Sequence, residues 1–166
     1  MTNPTLMQAV ALAMLFNTAA VSAHSDKHRA AAKTRHDAAK VQDTAFGHEG
    51  DPKKVNRVVR LTMTDAFRYT PSEITLKRGD TVRFIAHNQG RQLHEMVLGT
   101  PDDLRAHAAL MQKFPEMEHA DANMTHVKPG ANGQMVWQFS QTGEFQFGCL
   151  LPGHFEAGMV GKVTVK

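Results

Sequence analysis

The stretch Gly143–Met159, GEFQFGCLLPGHFEAGM, carries three side chains whose types and spacing suit metal chemistry. It holds the only cysteine of the chain, Cys149, which four residues separate from His154, and four more residues precede Met159. A thiolate, an imidazole and a weak thioether, completed by a second imidazole, are the ligands of a mononuclear blue-copper site. The stretch therefore predicts a copper site that needs one more histidine from elsewhere in the chain.

Composition limits the alternatives to this site. A single cysteine in 166 residues excludes an internal disulfide, a Cys-x-x-Cys redox pair, a thiolate zinc cluster and a copper centre bridged by two thiolates. The net charge is +3, with both signs interspersed and no block of Lys or Arg, so no nucleic-acid partner is expected. Ten His and ten Met residues are compatible with metal handling, and Met favours Cu(I).

Two segments precede the part of the chain that can form a core. Residues 1–23 carry no charged side chain and end in Val21-Ser22-Ala23, which fits a secretory signal cleaved near Ala23. Their apolar run is too short for a comfortable membrane span, so we expect a periplasmic protein with no permanent span after cleavage.

Residues 24–54 are polar and poor in large apolar side chains, which predicts a flexible arm. The arm contains four histidines that either collect metal weakly or have no fixed role. They are His24, His28, His36 and His48.

Residues 55–166 change to a pattern of short β-rich runs separated by turn residues, which predicts an all-β sandwich domain. We predict an irregular turn over residues 65–71 and a polar loop over residues 114–127. The predicted strands cover residues 55–63, 74–76, 81–87, 93–98, 134–140, 144–149 and 158–166.

One helix is predicted between two of these strands. Thr100 can cap it, Pro101 suits its first turn, and the acidic residues that follow favour the positive end of the helix dipole. The helix should end near Lys113, before Pro115. Its inward residues should be Leu104, Ala108 and Met111.

The last strands should place the metal-binding stretch at one end of the core. Phe145, Phe147 and Cys149 alternate with period two and therefore share one strand face. Pro152-Gly153 should then bend the chain so that His154 returns to Cys149.

These residues resemble those of the cupredoxins. The run FGCLLPGH at 147–154 is similar to the cysteine loop of azurin, and the four-residue gap before Met159 is similar to rusticyanin or auracyanin. The spacing Phe84…Asn88…His94 resembles the segment that supplies the first histidine in that family. The resemblance, which covers residues 55–166, implies a Greek-key β-sandwich with one short inserted helix.

The resemblance also implies the complete ligand set. One type 1 copper per chain would be held by His94, Cys149 and His154, with Met159 as the weak axial ligand. Glu95 stands where azurin and plastocyanin have an Asn that bridges to the cysteine loop, so the resemblance does not extend to that contact.

Histidines and methionines elsewhere allow a second, weaker copper site. Its candidate ligands are Met117, His119, Met124 and His126, which either bind copper in transit or serve as ordinary surface and packing residues.

The remaining candidates are given structural roles. Met111 is expected in the core. His87 should face solvent and His107 should be an ordinary surface residue of the helix.

The narrower pattern HEMVLGT at 94–100 with EAGM at 156–159 is similar to periplasmic cupredoxins encoded with bacterial copper-resistance systems. The resulting hypothesis is a non-enzymatic, monomeric periplasmic copper protein that acts in copper tolerance with one-electron redox at the copper. Its partner would be a redox or copper-trafficking protein.

Two alternatives remain. The first is a dedicated electron shuttle to a respiratory partner. In either copper role, His154 would be the exposed edge for electrons. The second is a thiol enzyme with Cys149 as nucleophile and His94 as base. That enzyme is disfavoured because Met159 and the second histidine would have no purpose in it. A multicopper oxidase is disfavoured by the absence of any His-x-His pair.

Overall fold

Two five-stranded sheets and one helix form the part of the chain that the computed structural model describes, residues 43–117 and 119–166. The strands are β1 (His48–Glu49), β2 (Arg57–Thr64), β3 (Arg68–Thr70), β4 (Glu73–Leu76), β5 (Thr81–Asn88), β6 (His94–Gly99), β7 (Met124–Val127), β8 (Asn132–Gln138), β9 (Gly143–Gly148) and β10 (Val160–Val165). The helix α1 (Pro101–Lys113) lies between β6 and β7 in the sequence.

The strand order shows that neighbours in sequence are often not neighbours in the sheets. One sheet has the order β1-β8-β5-β2-β3 and the other the order β4-β10-β9-β6-β7. The β2–β5 and β4–β10 pairs are parallel, and the other pairs are antiparallel. The predicted β-sandwich with one inserted helix is confirmed.

The core lies between the sheets because each sheet turns its apolar residues to one side. On β5, Val82, Phe84 and Ala86 have no exposed surface, as their alternation predicts. They belong to one buried cluster with Phe147 of β9 and Val163 of β10, from the other sheet. Apolar area removed from water on both sides is the main favourable contribution to this packing.

The helix has the bounds and the cap that its sequence predicts. The Thr100 hydroxyl accepts a hydrogen bond from the backbone N–H of Asp103, and the Asp103 carboxylate in turn accepts one from the Thr100 backbone N–H. Leu104, Ala108 and Met111 are buried, as expected. They form a smaller cluster with residues of β6, β7 and the cysteine loop, so the helix covers one face of the second sheet.

Three short strands were not predicted. β3 lies within the expected turn at 65–71, and β7 lies within the expected loop at 114–127. β1 lies in the last part of the expected arm, where His48 pairs with Gln138 and Phe46 stacks on Trp137 with ring centroids 4.9 Å apart. Such short runs have too few residues to show a period, and neighbouring strands supply their hydrogen bonds.

Part of the expected arm therefore packs on the sandwich. Phe46 is only 3% exposed and contacts Trp137 of β8. The predicted signal segment at 1–23 and the arm histidines His24, His28 and His36 lie outside the described residues. Among the described residues, no helix is long and apolar enough to cross a membrane.

Replacing Thr100 with Ala should lower the free energy of unfolding by about 1 kcal/mol, because the capping hydroxyl is lost. Thr100→Ser keeps that hydroxyl and is the matched control. Chemical denaturation of both variants measures the difference. Equal losses in the two variants would contradict the capping argument.

Candidate metal centre

Three strand ends meet at the predicted metal site. β6 begins at His94, Cys149 directly follows β9, and Met159 directly precedes β10. In the sheet, β9 lies between β6 and β10 and is antiparallel to both. The end of β9 therefore lies beside the starts of its two neighbours. This brings His94, which is distant in sequence, to the same end of the sandwich as Cys149 and Met159.

The loop from Cys149 to Met159 is closed by its own backbone. The Cys149 N–H donates to the Met159 carbonyl at 3.1 Å, and the Met159 N–H donates to the His154 carbonyl at 3.0 Å. Gly153 has φ +84°, a conformation that glycine adopts without strain, and it lets the chain turn immediately before His154. The bend expected from Pro152-Gly153 is therefore present, and His154 returns to the cysteine.

His94, Cys149 and His154 form a buried group of metal-binding atoms. One donor atom from each lies within 4.8 Å of the other two, and the Cys149 Sγ lies 3.2 Å from the His154 Nδ1. His94 and Cys149 have no exposed surface, and His154 is 9% exposed. Met159 is also fully buried and packs in the same cluster as Cys149. The structure thus brings His94, Cys149 and His154 together, and Met159 packs in the same cluster as Cys149.

An aspartate positions the His94 ring. The His94 Nε2 lies 3.1 Å from the Asp65 Oδ1, and the Asp65 carboxylate also accepts hydrogen bonds from the backbone N–H groups of Arg91 and Gln92. The Arg91 N–H is the main cause that lowers the pKa of Asp65, which keeps this carboxylate ionised. A carboxylate that accepts from Nε2–H leaves the lone pair on Nδ1 free for a metal.

The other His94 nitrogen supports a metal site. Nδ1 is buried and has no hydrogen-bond partner among the described residues. A buried polar atom without a partner is costly, and a bound metal removes that cost. Asp65 was not found from the sequence, because it lies 29 positions before His94 and no short motif joins them.

The protonation states suit a soft cation. Burial raises the pKa of Cys149 to about 12, although backbone N–H groups of Glu95 and Leu151 that bond to the sulfur oppose this rise. Burial, and then the neighbouring His94, lower the pKa of His154. Without metal the site therefore holds a thiol and a neutral imidazole, and metal binding displaces the thiol proton. A thiolate with two imidazoles and a thioether fits copper.

Glu95 supplies the bridge to the cysteine loop that the resemblance left open. Its side chain is 2% exposed, and its Oε1 accepts a hydrogen bond from the Leu150 N–H at 2.8 Å. Its Oε2 lies 3.0 Å from the Nε2 of His126, and its carbonyl accepts from the Tyr69 hydroxyl at 2.6 Å. A longer carboxylate side chain therefore takes the place of Asn and ties the residue after Cys149 to β6.

Phe67 covers His154, which differs from the expected exposed edge. The two ring centroids lie 4.6 Å apart, and the Phe67 backbone has φ +56°, which is unfavourable for a residue with a side chain. Arg68 joins this turn to the loop from Cys149 to Met159, since its Nη1 donates a hydrogen bond to the Ala157 carbonyl at 2.8 Å. The turn between β2 and β3 therefore shields His154 from solvent.

The four residues of the predicted second copper site are not all brought together. Met124 is 7% exposed and packs in the cluster under the helix, and His126 bonds to Glu95. Met117, His119 and His126 line a common cavity. Met124 is therefore the member of the predicted set that does not border this cavity, since it packs under the helix.

The remaining candidates are placed as follows. Met111 is 4% exposed in the core cluster, as expected. His87 is half-buried, with its Nδ1 at 3.2 Å from the Ala131 carbonyl, so it is less open to solvent than expected. His107 is also half-buried and lies against His119.

Replacing Glu95 with Ala should lower the free energy of unfolding by about 1–3 kcal/mol, because the buried Leu150 N–H loses its acceptor. Copper should also leave the site faster, since the residue after Cys149 is released from β6. Glu95→Gln keeps one carbonyl oxygen and is the matched control. Denaturation and the rate of copper transfer to a chelator measure both effects. Wild-type values in Glu95→Ala would contradict the bridging role.

Replacing Phe67 with Ala should speed electron exchange with a small inorganic oxidant severalfold, because His154 loses its cover. Stopped-flow absorbance of the copper-loaded protein measures the rate. Phe114→Ala is the control, since Phe114 is 53% exposed at the end of α1 and should leave the rate unchanged. Equal rates in the two variants would show that Phe67 does not shield the site.

Comparison with solved structures supports the fold. Auracyanin B superposes with a TM-score of 0.62 at 22% identity, over 73% of this chain and 96% of that protein. Auracyanin from Roseiflexus castenholzii superposes with a TM-score of 0.58 at 22% identity, over 68% of this chain and 98% of that protein. At this level of identity the likeness shows the fold alone.

Comparison of sequences shows the family. The copper-resistant cuproprotein CopI of Rubrivivax gelatinosus is 51% identical over 145 residues, which cover 87% of this chain and 82% of that protein. The CopI of Vibrio cholerae is 31% identical over 68% of this chain and 67% of that protein. The model of the copper-binding proteins of the plastocyanin/azurin type matches residues 55–166. The chain therefore belongs to the plastocyanin/azurin family of copper-binding proteins.

Proposed function

We propose that this protein is an exported type 1 copper protein that acts in copper tolerance. The observation that carries the proposal is the buried group of His94, Cys149 and His154, whose donor atoms lie within 4.8 Å of one another. When bound, copper supplies a one-electron redox couple. The similarity to relatives named copper-resistant cuproproteins supports the role in tolerance.

The protein would hold its ligands in one arrangement for both oxidation states. Asp65 fixes the His94 ring, Glu95 fixes the residue after Cys149, and backbone hydrogen bonds close the loop around His154. Ligands held in this way need little movement when the charge of the site changes. The fully buried Met159 would be the weak axial ligand that tunes the potential without holding the metal.

Burial would keep both water and oxidants away from the sulfur. Cys149 and Met159 have no exposed surface, and Phe67 lies over His154. This shielding gives no support to a dedicated electron shuttle, because an exposed ligand edge would bring the copper closer to a redox partner. It suits a protein that retains copper.

A thiol enzyme draws no support from the site either. Burial raises the pKa of Cys149 to about 12, so the metal-free thiol is a poor source of the thiolate that a nucleophile requires. His94 uses one nitrogen for Asp65 and leaves the other as a buried lone pair, which is the arrangement of a ligand. We therefore assign a binding role and no catalytic residue.

Export is part of the proposal. The uncharged stretch at 1–23 with its Val21-Ser22-Ala23 end supports a cleaved signal and a periplasmic location. The partner would then be a redox or copper-trafficking protein of the periplasm. This protein would bind it as a monomer.

Adding Cu(II) to the metal-free protein should produce an intense visible band from thiolate-to-copper charge transfer, and Cys149→Ser should abolish it. Met159→Leu should keep the copper and shift the reduction potential, because an axial thioether tunes the metal more than it binds it. Absorption spectroscopy and redox titration measure these outcomes. A colourless wild-type protein, or complete loss of copper in Met159→Leu, would contradict the ligand assignment.

The role in tolerance can be tested by complementation. A bacterial strain that lacks the protein should grow poorly in copper, and the wild-type gene should restore growth. The Cys149→Ser gene should fail to do so, whereas His87→Gln, which alters a histidine outside the site, should succeed. Full rescue by Cys149→Ser would overturn the proposed role without affecting the spectroscopic assignment.

A further inference from the structure

A second pair of histidines lies outside the buried group at the strand ends. His107, on α1, faces His119, in the segment that follows the helix, with ring centroids 4.8 Å apart and planes inclined by 40°. At this distance their ring nitrogens can approach a common point. Neither residue takes part in the network around Cys149.

His119 has unused ligand capacity. Both of its ring nitrogens are buried, and neither has a hydrogen-bond partner within the described part of the chain. The Asp121 Oδ2 lies 3.9 Å from Nε2, which is too far for a hydrogen bond. Buried nitrogens without partners cost free energy, and a bound ligand would remove that cost.

His107 favours the form that binds metals. Its burial, and then the neighbouring His119, lower its pKa, while the negative charges of Glu95 and Asp121 oppose the shift. The neutral imidazole is thereby favoured near pH 7. Neutral imidazole nitrogen is the metal-binding form of histidine.

A thioether lies on the same surface. Met117 and His119 both line an open cavity of about 440 Å³ that also contains His107 and Asp121. Met117 is 43% exposed, so its side chain is open to solvent. The same two residues, together with His126, line a neighbouring cavity of about 400 Å³ that reaches Leu151 of the loop from Cys149 to Met159.

We propose that His107, His119 and Met117 form a Cu(I)-binding site on this surface. Two imidazole nitrogens and one thioether sulfur are a soft, low-coordinate donor set, and thioethers select Cu(I) over harder cations. The set differs from the one that the sequence suggested, since His107 replaces Met124 and His126. This site is independent of the proposed type 1 centre and would take a second copper per chain.

The test is an anaerobic Cu(I) titration of the full-length protein, with its type 1 site loaded and reduced, against a chromophoric Cu(I) chelator. His119→Gln should bind one equivalent of Cu(I) less than the wild type. Met117→Leu should bind this equivalent more weakly. Comparing variants removes any contribution from the arm histidines, which all of them share.

His87→Gln is the control and should keep the wild-type number of equivalents. Equal numbers in wild type and His119→Gln would overturn the proposal, as would equally tight binding of Zn(II) at the same residues. The visible band after reoxidation reports the type 1 centre separately in every variant. Its absence would contradict the proposed function, and the difference between wild type and His119→Gln would still decide the second site.

Discussion

The site depends on keeping metal-binding atoms buried and close together at one end of the sandwich. The Cys149 sulfur lies 3.2 Å from the His154 Nδ1, and the buried Nδ1 of His94 has no hydrogen-bond partner among the described residues. Burial alone would favour their separation or their pairing with other groups. The two sheets prevent both outcomes, since β9 fixes the cysteine between its neighbouring strands and Asp65 occupies the outer nitrogen of His94.

The network around this group follows from the strands that carry it. Glu95 follows the first candidate ligand and has both carboxylate oxygens engaged, one by Leu150 and one by His126. A buried carboxylate is tolerable only when its oxygens accept hydrogen bonds. The same bonds join β6, β7 and the cysteine loop. The Glu95 carboxylate, which needs hydrogen-bond donors because it is buried, therefore also fixes the geometry of the site.

Solvent access separates the buried group at the strand ends from the surface of the proposed second copper site. Phe67 covers the inner site and is held there by Arg68, which bonds to the metal loop. His119 and Met117 instead line open cavities beside the helix. A shielded site suits stable retention and redox chemistry, whereas an open one suits exchange. Both features accord with a protein that handles copper instead of only passing electrons.

The sequence by itself determined the donor types, the local spacing of Cys149, His154 and Met159, the capped helix and the sandwich class, because these depend on neighbouring residues and strand periodicity. Only the tertiary structure decided the partners of His94 and Glu95. Asp65 and Leu150 reach them across 29 and 55 residues, through strand pairings that no local pattern specifies. Folding likewise decided which of the remaining histidines meet, since packing, and not spacing, sets side-chain direction.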